Sequence, residues 1–152
     1  MEPTTETTAL SGDLAMYAAR LVRLIRQGNP QPAGIRAMSS IDERGPLSVT
    51  TLAQLDSCSQ PTMTGIVRQL IEQGWLSREA HPTDARSTLL GLTSAGRAEL
   101  ARVRAANAEL VASRITAHPE RSAADLATAV AVLRDVLTPP MNDQTDTKEH
   151  QP

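Results

Sequence analysis

Residues 47–100 read LSVTTLAQLDSCSQPTMTGIVRQLIEQGWLSREAHPTDARSTLLGLTSAGRAEL, and the fold class is decided there. Ser48 is placed to cap a short helix over residues 49–55, and Asp56, Ser57 and Cys58 then make a turn. Ser59 caps a second helix that has Pro61 in its first turn and Gly74 at its close. Two short helices joined in this way make a helix-turn-helix. On the second helix Met63, Ile66 or Val67, and Leu70 recur at helical spacing and face inward. Gln60, Thr64 and Arg68, with Thr62, are then turned outward.

A hairpin follows. Residues 75–79 read as one strand, and Thr88, Leu90 and Leu92 alternate along the next. The stretch between them, His81 to Arg86, is polar, contains Pro82 and reads as an exposed loop. A two-stranded wing directly after a helix-turn-helix is the winged-helix arrangement.

Working outward, the first helix is expected from about Gly12 to Gln27 with Ser11 as its N-cap, and Leu14, Ala18, Leu21 and Ile25 form its apolar stripe. Asn29-Pro30-Gln31-Pro32 breaks the chain. A short helix follows to about Glu43, with Pro32 in its first turn, and Gly45-Pro46 stops it. After the wing, Thr93 caps a long helix to about Ala117 with Leu100, Val103, Leu110 and Val111 inward. A sixth helix runs from about Ser122 to Leu137, opened by the capping box Ser122-x-x-Asp125. Leu126, Val130, Leu133 and Leu137 form its apolar stripe. The fold expected is mainly α with a small β-wing: six helices, dimerised through the N- and C-terminal helices.

In domain terms, residues 1–10 form a disordered tail, 11–30 and 93–138 supply dimerisation helices, 31–92 form the DNA-binding lobe, and 139–152 form a second disordered tail. The long terminal helices carry more apolar surface than one small lobe can cover, and a homodimer that interleaves them resolves this.

The bulk composition agrees. The chain has 152 residues with one Trp, one Tyr and no Phe, so its core is aliphatic, as suits packed helices. Net charge is -2, but the acids crowd the ends. With Glu2, Glu6, Asp13, Asp143, Asp146 and Glu149 set aside, and Lys148 with them, the central part holds 14 Arg against 11 acids. Arginine is the better residue for bidentate phosphate and base contacts. The single cysteine, Cys58, excludes an internal disulfide and a cysteine-rich zinc site. With no basic residue beside it in sequence it reads as a structural thiol; a redox switch at Cys58 is the competing reading. His81, His118 and His150 are too far apart to suggest a metal site. No signal peptide, membrane span, catalytic constellation or cofactor motif is apparent, which points to a cytoplasmic protein that is not an enzyme and needs no cofactor.

Four segments give this sequence a resemblance to the MarR family of bacterial regulators. They are Ser59-Gln60-Pro61-Thr62-Met63-Thr64, the run from Leu70 through Gly74-Trp75 to Arg78, Asp84-Ala85-Arg86 spaced to Leu92-Thr93 as D-x-R-x5-L-T, and Thr93-Ser94-Ala95-Gly96. Each is weak alone; in this order and spacing they are specific. The resemblance implies a repressor that binds double-stranded DNA at a near-palindromic operator as a homodimer and is released by a small-molecule effector. It places DNA contacts at Ser59, Gln60, Thr62, Thr64, Arg68, Arg78, Asp84 and Arg86. Arg86 would enter the minor groove, with Asp84 holding it extended. An effector pocket would take Tyr17, Arg20 and Met38. Two positions depart from the family: Gly65 and Ala85 stand where a basic residue is common. A winged helix that serves only as a protein-interaction module is the alternative from a different class.

Overall fold

A computed structural model describes residues 2–80 and 88–138. Asp84 and Arg86, and the expected tail 139–152, lie outside the described residues. The described chain orders as α1 (Thr5–Gly28), α2 (Ile35–Arg44), α3 (Val49–Leu55), α4 (Gln60–Glu72), β1 (Leu76–Ala80), β2 (Thr88–Leu92), α5 (Ser94–Thr116) and α6 (Ala123–Leu137). It divides into two compact units, residues 1–112 and 113–152.

The first unit holds the core. Ile35, Met38 and Ile41 from α2, Leu52 from α3, Met63, Val67 and Leu70 from α4, Leu76, Leu90 and Leu92 from the hairpin, and Leu100 and Val103 from α5 are all buried. Each large aliphatic side chain withdrawn from water in this way contributes about 1.5–3 kcal/mol. The two strands pair antiparallel from Leu76 opposite Leu92 to Ala80 opposite Thr88. Leu47 adds a one-residue third strand, exchanging backbone hydrogen bonds of 3.1 and 2.9 Å with Leu90. The first strand starts one residue later than its composition suggests, because the residue before it is used to end α4. There Gly74 takes φ 74°, its N–H donates to the Ile71 carbonyl, and the Trp75 N–H donates to the Leu70 carbonyl. That pair of bonds closes the helix and aims the chain into β1.

The start of α1 corrects the expected boundary. Residues 5–10 are helical, and the N-cap is Thr4, whose side chain accepts from the Thr7 N–H. Ser11 is one of the interior residues, its hydroxyl donating to the Thr7 carbonyl at 2.8 Å. Residues 5–10 are therefore not a disordered tail. The segment was missed because it has almost no apolar residues to show a helical period. The start of α2 also moves. Pro32, Ala33 and Gly34 make a turn, Gly34 stands at φ 84°, and the helix begins at Ile35. A β-carbon on Gly34 would collide with Ile66 and Leu70, so α2 enters against the back of α4 only because this residue has no side chain.

The second unit contains α6. Its capping box is complete, with Ser122 and Asp125 each accepting from the other's backbone N–H. Neither α1 nor α6 buries a residue within the chain. Leu10, Tyr17 and Val22 on α1, and Val130, Val136 and Leu137 on α6, are exposed. No helix among the described residues is long and apolar enough to cross a membrane.

Candidate nucleic-acid interface

Helix α4 owes its position to two features of its own sequence. Ser59 Oγ accepts from the Thr62 N–H at 3.2 Å and shares a second hydrogen bond with Thr62 Oγ1 at 2.7 Å, which fixes the first turn. Met63, Val67 and Leu70 then anchor one face in the core. The opposite face, with Gln60, Thr62, Thr64 and Arg68, is open to solvent. Thr64 Oγ1 donates to the Gln60 carbonyl at 2.8 Å, so its one proton is committed and its oxygen can still accept. Arg68 Nε stands 3.8 Å from Glu72 Oε1, one helical turn on, and both side chains are largely exposed. Such a pair is weak and easily exchanged for a phosphate or a base edge.

The helix-turn-helix is tied together through its turn. Asp56 caps the end of α3, Ser57 takes the left-handed φ of 52°, and the Cys58 N–H donates to the Ala53 carbonyl at 3.0 Å. Arg36 on α2 reaches Asp56 across this turn, with Nε 3.2 Å from Oδ1. Cys58 is half-buried against the core, a place suited to a packing thiol. On the wing, Arg78 is exposed in β1, opposite Leu90. The base of the wing is locked to α5. Thr93 Oγ1 donates to the Gly74 carbonyl and accepts from the Gly96 N–H, while the Thr93 N–H donates to the Trp75 carbonyl.

Six of the eight residues expected to meet DNA are thus described and exposed, on α4, at its cap and on the first wing strand. Those expected to form an effector pocket are not brought together as a lining. Met38 is wholly buried in the core, because α2 packs that side chain inward, and cannot line an open site. Tyr17 and Arg20 lie on the exposed α1 and stack on each other, the guanidinium 5.6 Å from the ring centre. A cleft of about 290 Å³ lies instead between α2, the end of α3 and α5. Its apolar floor comprises Ile35, Leu55, Leu100 and Val103, and Arg36 and Arg104 are among the polar residues around it. The apolar stripe of α5 was the signal for the floor; nothing in the sequence paired it with Leu55.

A model of the MarR family matches residues 32–88, from the approach to α2 through the start of β2. The winged-helix lobe belongs to the MarR family. The chain is 29% identical over 110 residues to an uncharacterized HTH-type transcriptional regulator of Mycobacterium leprae, covering 70% of this chain and 77% of that one. Among solved structures, it is similar to a putative transcriptional regulator protein from Pseudomonas aeruginosa, with a TM-score of 0.73 at 25% identity over 88% of this chain and 96% of the other. It also shares its fold with a mutant MarR from Escherichia coli complexed with operator DNA, with a TM-score of 0.55 at 21% identity over 91% and 100% of the two chains. In this MarR-family lobe α3 and α4 are the helix-turn-helix, α4 is its second helix, and β1 and β2 are the wing.

Proposed function

We propose that the protein is a sequence-specific, DNA-binding repressor that acts as a homodimer and is released by a small-molecule effector. The observation that carries this reading is the outer face of α4. Gln60, Thr62, Thr64 and Arg68 stand exposed together while Met63, Val67 and Leu70 hold the helix rigidly from behind. Gln60 suits the paired donor and acceptor of adenine, Arg68 suits guanine or a phosphate, and the threonines suit thymine methyl groups or hydroxyl contacts. Ser59 positions the first turn, Arg78 adds a basic side chain on the first wing strand, and Asp84 and Arg86 join the proposed DNA contacts on the family resemblance alone. The operator-bound Escherichia coli MarR shares the fold.

Dimerisation is supported by the apolar residues that α1 and α6 leave exposed, since such faces are rarely left to water. A dimer sets two copies of α4 to match successive major grooves about 34 Å apart, and occupancy of such an operator competes with transcription. The cleft beside Arg36 is the place we assign to the effector: its floor is apolar and its rim polar, the usual make-up of a small-molecule site. An effector that binds one spacing of the two α4 helices better than another lowers operator affinity without unfolding the lobe.

The test is fluorescence anisotropy of the purified protein on its own upstream DNA and on a scrambled fragment, across a salt series. Tight binding to the native fragment alone, weakening as salt rises, is expected. Equal and weak binding to every genomic fragment tried would overturn the reading and favour a protein-interaction module.

A further inference from the structure

The chain has eight glycines, and four have a firm reason internal to the fold. Gly34, Gly45 and Gly74 hold left-handed backbone, and a β-carbon at Gly96 would strike the Trp75 carbonyl, while at Gly28 and Gly91 it would meet only the movable side chains of Leu110 and Glu79. The remaining two, Gly12 and Gly65, lie inside helices, and an added β-carbon there meets nothing within 4 Å. Glycine is among the worst residues for a helix interior. The chain thus gives up helix stability at both places with no internal return. Gly12 lies on α1, the helix already assigned to self-association. Gly65 lies on α4.

Position 65 is two residues from both Met63 and Val67, whose side chains are buried. At about 100° per residue this puts Gly65 on the side of α4 facing directly away from the core. Pro61, one turn earlier on the same line, is exposed and carries only its ring. The outermost ridge of α4 is therefore low between Pro61 and Arg68. Thr62 and Gln69 stand exposed on one flank of it and Thr64 on the other.

We propose that this low ridge is a specificity determinant, and that Gly65 lets the α4 backbone seat closer to the floor of the major groove than a helix with side chains along that line. Short hydroxyl and amide side chains read bases only from close range, so the closer seat brings Thr62, Thr64 and Gln69 onto base edges. It adds Gln69 to the base-reading set. A β-carbon at 65 holds the helix off and removes those contacts, while the phosphate contacts that carry non-specific affinity persist. This rests on α4 being the base-reading helix, as proposed above.

The experiment compares wild type, Gly65→Ala and Gly65→Val in the full-length protein, measuring thermal midpoint and affinity for the best-bound genomic fragment and for scrambled DNA. Gly65→Ala is expected to melt at or above the wild-type temperature yet bind the specific fragment about tenfold more weakly. Gly65→Val should bind it more weakly still, with affinity for scrambled DNA unchanged in both variants. Wild-type affinity for the specific fragment in both variants would overturn the proposal. Gln60→Ala separates the two levels. If it weakens specific binding while the Gly65 variants do not, the Gly65 inference alone falls. If wild type itself prefers no fragment, the DNA reading falls and this one with it.

Discussion

Arg36 Nε lies 3.2 Å from Oδ1 of Asp56, so a residue of α2 grips the last residue before the left-handed turn of the helix-turn-helix. The Asp56 side chain is only 14% exposed while that of Arg36 is 57% exposed. Solvent screening around Arg36 keeps the pair in the surface range, about 0–1 kcal/mol. Arg36→Ala and Asp56→Ala should each cost no more than about 1 kcal/mol, with a non-additive double mutant, measured by urea unfolding. Full additivity of the two changes would show that the pair is not coupled.

Gly96 makes a firmer prediction. A β-carbon there would collide with the Trp75 carbonyl, which already accepts from the Thr93 N–H. Gly96→Ala should force α5 away from the base of the wing at a cost of about 1–3 kcal/mol. The same change at Gly65, where space is open, should be stabilising, so the two substitutions move the thermal midpoint in opposite directions.

Met38 should behave as a core residue. It is wholly buried in the core cluster, and Met38→Ala is expected to lower stability by about 2–5 kcal/mol. The loss should appear in protein with nothing bound and should be the same in the presence of any effector. Unaltered unfolding in denaturant would return Met38 to the list of pocket residues.

The start of α6 should respond to acid. The Ser122 backbone N–H, donating to Asp125 Oδ2 at 2.8 Å, holds that carboxyl below its ordinary value of 3.8, and the Ser122 hydroxyl adds a second bond. A carboxyl whose pKa is depressed by folding contributes stability above its unfolded value, and that contribution is lost as pH falls through the lower folded value. Helix content in the wild type should therefore decline below about pH 4 more than in Asp125→Asn, followed by circular dichroism. Ser122→Ala, which removes the cap itself, should cost about 1 kcal/mol at neutral pH.

Much of the lobe is legible in the sequence because its helices announce their ends. Ser48, Ser59 and Ser122 each stand just before a helix, and each does cap it. Met63, Val67 and Leu70 repeat at helical spacing, so the outward face carrying Gln60 and Arg68 follows by subtraction. What stayed hidden has a common cause. Residues 5–10 are helical through hydroxyl and backbone bonds alone and so carry no apolar period to read. The grip of Arg36 on Asp56, and that of Asn107 Oδ1, which accepts from Asn29 Nδ2 at 2.8 Å and from Gln31 Nε2 at 3.3 Å, join residues far apart in the chain. Spacing along a sequence says nothing about such meetings. The burial of Met38 has the same cause: the core residues it joins come from elements far along the chain.

Helix α1 spans 24 residues, about 36 Å, and fully buries none of them within its own chain, with only Leu14, Ala18, Leu24 and Ile25 half-buried. Most helical stability in proteins comes from packing of an apolar face, so under the proposed dimerisation the persistence of α1 would be coupled to the pairing of two chains. Protein abundance would then set how much of α1 is ordered. Amide hydrogen exchange along α1 should slow as protein is concentrated while exchange in α4 does not change, and the cell would sense its own stock of this protein through the melting of one helix.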